Sequence, residues 1–195
     1  MPGIVIMPSH AGAWPKLKGR KLQPASTTGK VQTMTRRTVL LEALASTPND
    51  ISRLIRPLEG AGWDWVADGD TPSPWHIIAH LITTEKIYQD HISRILERDI
   101  SDSLPGFQAN SSQESHIPIG QLGRDFQQAR GQTLQTLQAI GPGDWQRAAH
   151  LEPHGRISLR FLMQRLVEHD IEQTGRLVKA IHFRRVVHNN SGFSQ

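Results

Sequence analysis

Cysteine is absent from the 195 residues, which excludes disulfides, thiolate metal sites and a cysteine nucleophile. No apolar run approaches the roughly 18 residues that a membrane-crossing helix needs. The lack of thiols is silent about compartment, and without a spanning run a cytoplasmic protein is expected. Aromatic residues make up only 6% of the chain, too few and too scattered for a base-stacking platform. Acids are missing from residues 1–33, which carry Lys16, Lys18, Arg20, Lys21 and Lys30. Of the 22 basic residues these five are unopposed, and the other 17 meet 18 acids in residues 34–195, so the net charge of +4 belongs to the first segment. That distribution argues against a nucleic-acid partner. Also missing are a G-x-S-x-G elbow, a P-loop, a G-x-G-x-x-G after a strand and an H-E-x-x-H pair.

What is present is helical periodicity. Residues 1–33, rich in Pro, Gly, Ser, Thr and Lys, read as a disordered basic extension. From Thr35, apolar residues at Val39, Leu40, Leu44, Ile51, Leu54, Ile55 and Leu58 follow a repeat near 3.6. Pro48 is expected to kink or restart this first helix, with Thr47 as a cap. GAGWDWVADGDTP is a turn-rich connection, and its acids Asp64 and Asp68 read as ordinary loop charges. Ser73 and Pro74 suit the N-cap and first position of a second helix, whose stripe includes Trp75, Ile78, Leu81, Ile82, Tyr88, Ile92 and Ile95. A long polar loop follows, then a third helix carrying Leu122, Phe126, Leu134 and Leu137 that stops at Gly-Pro-Gly. GDWQRAAHLEPHGRIS has room for one short helical turn and an irregular crossing. Ser158 caps a last helix, and the residues from 183 on are expected to fray. Four helical segments and no convincing strand pair predict an all-α protein, a four-helix bundle of up-down type over 34–182, with a long loop between helices 2 and 3.

Ten histidines make any single one weak evidence. His76 and His80 stand four apart on the second helix, and His169 and Gln173 repeat that spacing in the last, within LVEHDIEQ. Residues at i and i+4 share a helix face, so facing helices of a bundle can bring such groups together around a metal. Imidazole nitrogens suit Zn or Ni. Taken alone, the spacing also describes histidines that merely sit at a core boundary.

Over most of 34–182 the chain resembles the DinB/YfiT-like metalloenzymes, four-helix bundles with three histidines around a divalent metal. The resemblance lies in TRRTVLLEALASTPNDISRLI, SPWHIIAHLITTEKIYQDHISRILERD, LPGF and HLEPHGRISLRFLMQRLVEHDIEQ, in that order. It implies that His80 and His169 are ligands, with Gln173 at the position of the family's third histidine. A Gln oxygen is a weaker donor than imidazole for borderline metals such as Zn. The family's Trp near Pro72 and acid near His76 are also missing. Three arrangements stay open: His80, His169 and Gln173 around Zn, Ni or Mn; His76 as an alternative third imidazole; or a degenerate, metal-free site. Glu85 and Asp170 are candidates to hold the imidazoles' other ring nitrogens, although Asp170 reads better as a solvated charge. Tyr88, two turns after His80, is a candidate pocket residue. The resemblance further implies a metal-dependent S-transferase or hydrolase acting on a small electrophile, with a low-molecular-weight thiol as a candidate co-substrate and homodimerisation as the expected assembly. The alternative is a metal-free bundle that binds a small ligand or serves in stress.

Overall fold

A computed structural model describes residues 36–60, 72–97, 103–104, 117–152 and 154–191, all within one compact unit, Met34–Gln195. The basic extension, the connection bearing Asp64 and Asp68 and most of the loop after the second helix lie outside the described residues. Four helices dominate: α1 (Arg36–Ile55), α2 (Pro74–Glu97), α3 (Ile119–Ala139) and α4 (Leu159–Ser191). Two of their starts follow directly from the sequence. Ser73 Oγ accepts the His76 amide at 3.3 Å and Ser158 Oγ accepts the Phe161 amide at 3.2 Å, each a cap on the third residue of its helix. At its other end α4 reaches Ser191, into the segment expected to fray, and no Gly or Pro interrupts residues 176–191.

Two expectations are corrected. Pro48 neither restarts nor ends α1, which runs through it. A helical proline normally leaves the carbonyl four residues earlier without its donor, here that of Leu44. Arg130 Nη1 of α3 donates to that oxygen at 3.0 Å. The crossing before α4 is also not irregular. After a short helical turn at Asp144–Gln146 come β2 (Ala148–Leu151) and β3 (Gly155–Ser158), an antiparallel hairpin. Gly155, at φ +76°, supplies the left-handed residue at the end of its turn. β1 (Ser103–Leu104) adds in parallel beside β2.

The helix directions are set by named contacts. Arg37 of α1 reaches the Leu137 carbonyl of α3, while Leu44 meets Arg130 and Ile55 lies against Gly123, so α1 and α3 are antiparallel. Trp75 Nε1 donates to the Ile117 carbonyl and Gln89 Nε2 to that of Ala129, so α2 and α3 run the same way. α2 and α4 are antiparallel, with Ile77 and Ile78 beside Leu177 at one end and Ile92 and Ile95 beside Leu162 at the other. The order is therefore up, down, down, up. The end of α2 and the start of α3 therefore lie at opposite ends of the bundle, about 36 Å apart for a helix of α2's length.

The apolar core falls into two clusters. A buried polar layer lies between them in sequence on every helix: Thr47 on α1, Thr84 and Glu85 on α2, Arg130 and Thr133 on α3, Asp170 and Gln173 on α4. His80 and His169 stand beside this layer.

Candidate functional site

His80 and His169 meet. Their Nε2 atoms are 3.1 Å apart, with ring centroids at 5.2 Å and planes inclined by 52°. Antiparallel packing of α2 on α4 brings them together, each helix presenting one ring at the level of the polar layer. The Thr84 hydroxyl, one turn after His80, stands 3.5 Å from His80 Nε2.

Burial keeps both rings neutral. It lowers the His169 pKa to about 4, helped by the neighbouring His80 and by Arg130 and Arg176, against the opposing charge of Glu172. His80 is lowered as well, by burial and then by Arg176, with Glu172 opposing. Two neutral imidazoles at this distance either share one Nε2–H or present two bare nitrogens to a cation. His169 Nδ1 is buried and, among the described residues, has no hydrogen-bond partner. An orphaned N–H is costlier than an orphaned acceptor. The proton of His169 therefore belongs on Nε2, pointing at His80, whose Nε2 accepts.

The pair forms one side of a cavity of about 450 Å³. Ile87, Leu151, Ile157, Phe161 and Leu162 give it apolar walls, while Thr84, Tyr88 and His154 add polar ones. Arg165, Glu168 and Glu172 also border it, but they are engaged in pairs: Arg165 with Glu168 at 2.7 Å, and Glu172 with Arg176 at 2.6 Å. Tyr88 is buried, and burial pushes its phenol up, so it stays protonated and able to donate. His154, on the β2–β3 turn, had no signal in the sequence beyond its place between two Gly/Pro-flanked strands.

The other sequence candidates occupy different positions. Gln173 is 4% exposed, one turn beyond His169 in the polar layer, and does not border the cavity. His76 is not brought to the pair: its Nδ1 lies 2.6 Å from Ser73 Oγ at the start of α2, and its ring packs edge-on against Trp75. Glu85 and Asp170 do not hydrogen-bond to the imidazoles among the described residues; both turn to Arg130. Asp170, read as solvated, is 2% exposed.

Arg130 is the residue that sequence reasoning missed. Its Nε and Nη2 donate to Glu85 at 3.0 and 2.8 Å; Nη1 and Nη2 donate to Asp170 at 2.7 and 3.1 Å; Nη1 also reaches the Leu44 carbonyl. All five guanidinium N–H donors are thereby used. Thr47 donates to Asp170 Oδ2 at 3.1 Å, and the Thr133 hydroxyl donates to Glu85 Oε1. Burial opposes the charge on Arg130, but Asp170 and Glu85 more than offset it, and its pKa stands above the ordinary value.

The donor types fit a divalent metal at the pair. Two ligand nitrogens on tetrahedral Zn are about 3.3 Å apart, close to the separation here. The fit has a shortfall: among the described residues no cluster of three or more His, Cys, Asp or Glu side chains is placed to hold an ion.

Comparison with known proteins agrees with the fold. Residues 43–175 match the family model of the DinB superfamily. A DinB-like protein from Bacillus subtilis, YjoA, superposes with a TM-score of 0.54 at 14% identity, covering 74% of this chain and 90% of that one. YfiT from Bacillus subtilis, described as a probable metal-dependent hydrolase with an unusual four-helix bundle topology, superposes at 0.58 with 12% identity, covering 85% and 93%. No curated protein matches the sequence.

Proposed function

Since the chain belongs to the DinB superfamily, we propose that it is a metal-dependent enzyme, a hydrolase or thiol-dependent S-transferase, acting on a small electrophile beside His80 and His169. The observation that carries this reading is the 3.1 Å approach of two neutral Nε2 atoms at the wall of a cavity large enough for a small molecule. His80 and His169 would hold Zn, Ni or Mn, and Gln173, one turn on, is the candidate for a further oxygen donor. Bound there, the metal would act as a Lewis acid and would lower the pKa of a coordinated water or thiol.

The chain's own residues complete the site. The apolar walls would hold the non-polar part of a substrate against the pair. The protonated phenol of Tyr88 and the Thr84 hydroxyl can donate to an oxygen that gains charge. With no cysteine in the chain, any attacking thiol must arrive as a low-molecular-weight co-substrate.

Elemental analysis of protein purified without a histidine tag tests the reading, followed by thermal shift with Zn, Ni and Mn. Bound metal, or a shift that disappears in both His80→Ala and His169→Ala, supports it. Folded protein with no metal and no shift overturns it. Electrophiles assayed with several thiols then separate transfer from hydrolysis.

A second reading, a metal-free bundle that binds a small ligand, is favoured by the imidazole pair standing, among the described residues, without a third His, Cys, Asp or Glu placed to share an ion. The unpartnered His169 Nδ1 points the same way, because metal-bound histidines usually donate their other ring nitrogen. In this reading His169 simply hydrogen-bonds to His80.

A further inference from the structure

Glu85 and Asp170 share a single guanidinium in the middle of the bundle, both side chains buried. An ion cluster of this kind is weak evidence for stability, because removing three charges from water costs about as much as their pairing returns. Its geometry is more informative. Asp170 directly follows His169 on α4, and Glu85 lies five residues after His80 on α2. Arg130 grips each carboxylate through two N–H groups in one plane, and its last donor holds the α1 carbonyl that Pro48 leaves free. Planar two-point grips fix direction as well as distance.

We infer that Arg130 is a positioning residue for the His80–His169 pair: its double fork on Glu85 and Asp170 sets the rotation and axial register of α2 against α4, and so the approach of the two Nε2 atoms. The inference concerns the same site as the proposed function, but it rests on the ring geometry and holds for a metal-bound or metal-free pair. The imidazoles themselves also meet directly between α2 and α4 beside this fork. Thr133 and Thr47 orient the two carboxylates from the outer side, so the guanidinium plane is itself held in place. Lysine could keep the charge at this position, but as a point donor it cannot reproduce either fork.

The test compares Arg130→Lys with Leu137→Ala, a cavity-forming change in the apolar cluster around Leu137, chosen as a control for general destabilisation. Imidazole ¹⁵N–¹H correlation spectra of the metal-free proteins read the pair directly. In the wild type His169 should show the Nε2–H tautomer and His80 the Nδ1–H tautomer. In Arg130→Lys both rings should move to tautomer-averaged shifts, while Leu137→Ala keeps the wild-type pattern despite a lowered Tm. A wild-type pattern in folded Arg130→Lys overturns the inference, as does equal loss in Leu137→Ala. If Arg130→Lys does not fold, Thr133→Val removes one support of Glu85 without stranding a charge. It should perturb the His80 signals before those of His169, and no change there also overturns the inference. Where the wild type binds Zn or Ni, Arg130→Lys should weaken binding by about 10–100-fold. Absence of metal from the wild type would count against the proposed function alone, because the ¹⁵N comparison needs no metal.

Discussion

Pro48 and Arg130, on different helices, solve one problem between them. The proline removes the amide that would serve the Leu44 carbonyl, and Arg130 Nη1 takes that oxygen from α3 at 3.0 Å. A defect in one helix thus becomes an anchor for the cation that ties all four together.

Replacing Arg130 by Met strands two carboxylates in the core and should cost about 3–5 kcal/mol, read by urea unfolding. Pro48→Ala restores a donor for Leu44. The double variant should therefore lose about 1 kcal/mol less than the two single changes add up to. Strict additivity would mean that the Leu44 carbonyl is not shared in this way.

Gln173→His should tighten Zn or Ni binding at least about tenfold, or about 1.4 kcal/mol, in calorimetry of untagged protein. An unchanged affinity would place Gln173 outside the coordination sphere and leave the pair as the whole site.

Stability should fall as the solution is acidified from neutral pH. His169 titrates at about 4 when folded and near its ordinary value of 6.5 when unfolded. The unfolded state therefore takes up the proton first. The stabilising contribution is complete above 6.5 and is lost progressively as pH falls through the window down to about 4. His80, also lowered, adds in the same direction. Urea midpoints at pH 7.5 and 5 should converge in His169→Gln relative to the wild type. An equal pH slope in the two proteins would contradict the burial of this ring.

Arg37 closes the end of α3. It donates to the carbonyls of Leu137 and Ile140 at 3.1 and 3.0 Å, and more weakly to that of Gln138, with its guanidinium 5.4 Å from the Trp145 ring. Arg37→Ala should lose about 1–2 kcal/mol, with Arg37→Lys intermediate. Thermal unfolding checks the order.

The bundle and two of its caps were legible in the sequence because each rests on local spacing, whereas the pairing of His80 with His169, 89 residues apart, was implied only by the family resemblance. The polar layer was legible too, but in a pattern that apolar counting passes over. Leu81, Glu85, Tyr88 and Ile92 follow steps of four, three and four; so do Phe126, Arg130, Thr133 and Leu137, and Leu166, Asp170, Gln173 and Leu177. Charged residues standing where the core face demands apolar ones are buried charges, and three such positions carry matching signs. That reading would have found Arg130 and corrected Asp170. The small sheet gave less away. Its strands have four residues or fewer, and β1 reaches β2 from more than forty positions upstream, beyond any local periodicity.

The down-down order of α2 and α3 also bears on how the chain finds its fold. Helical bundles usually fold fast because their contacts are local. Here Arg130 collects partners from 86, 45 and 40 residues away. No hairpin of adjacent helices can satisfy it. Loop closure must therefore precede most of the reward, and this mainly helical domain should fold with the slower kinetics of a β-rich one, its central ion cluster forming only when the fourth helix docks.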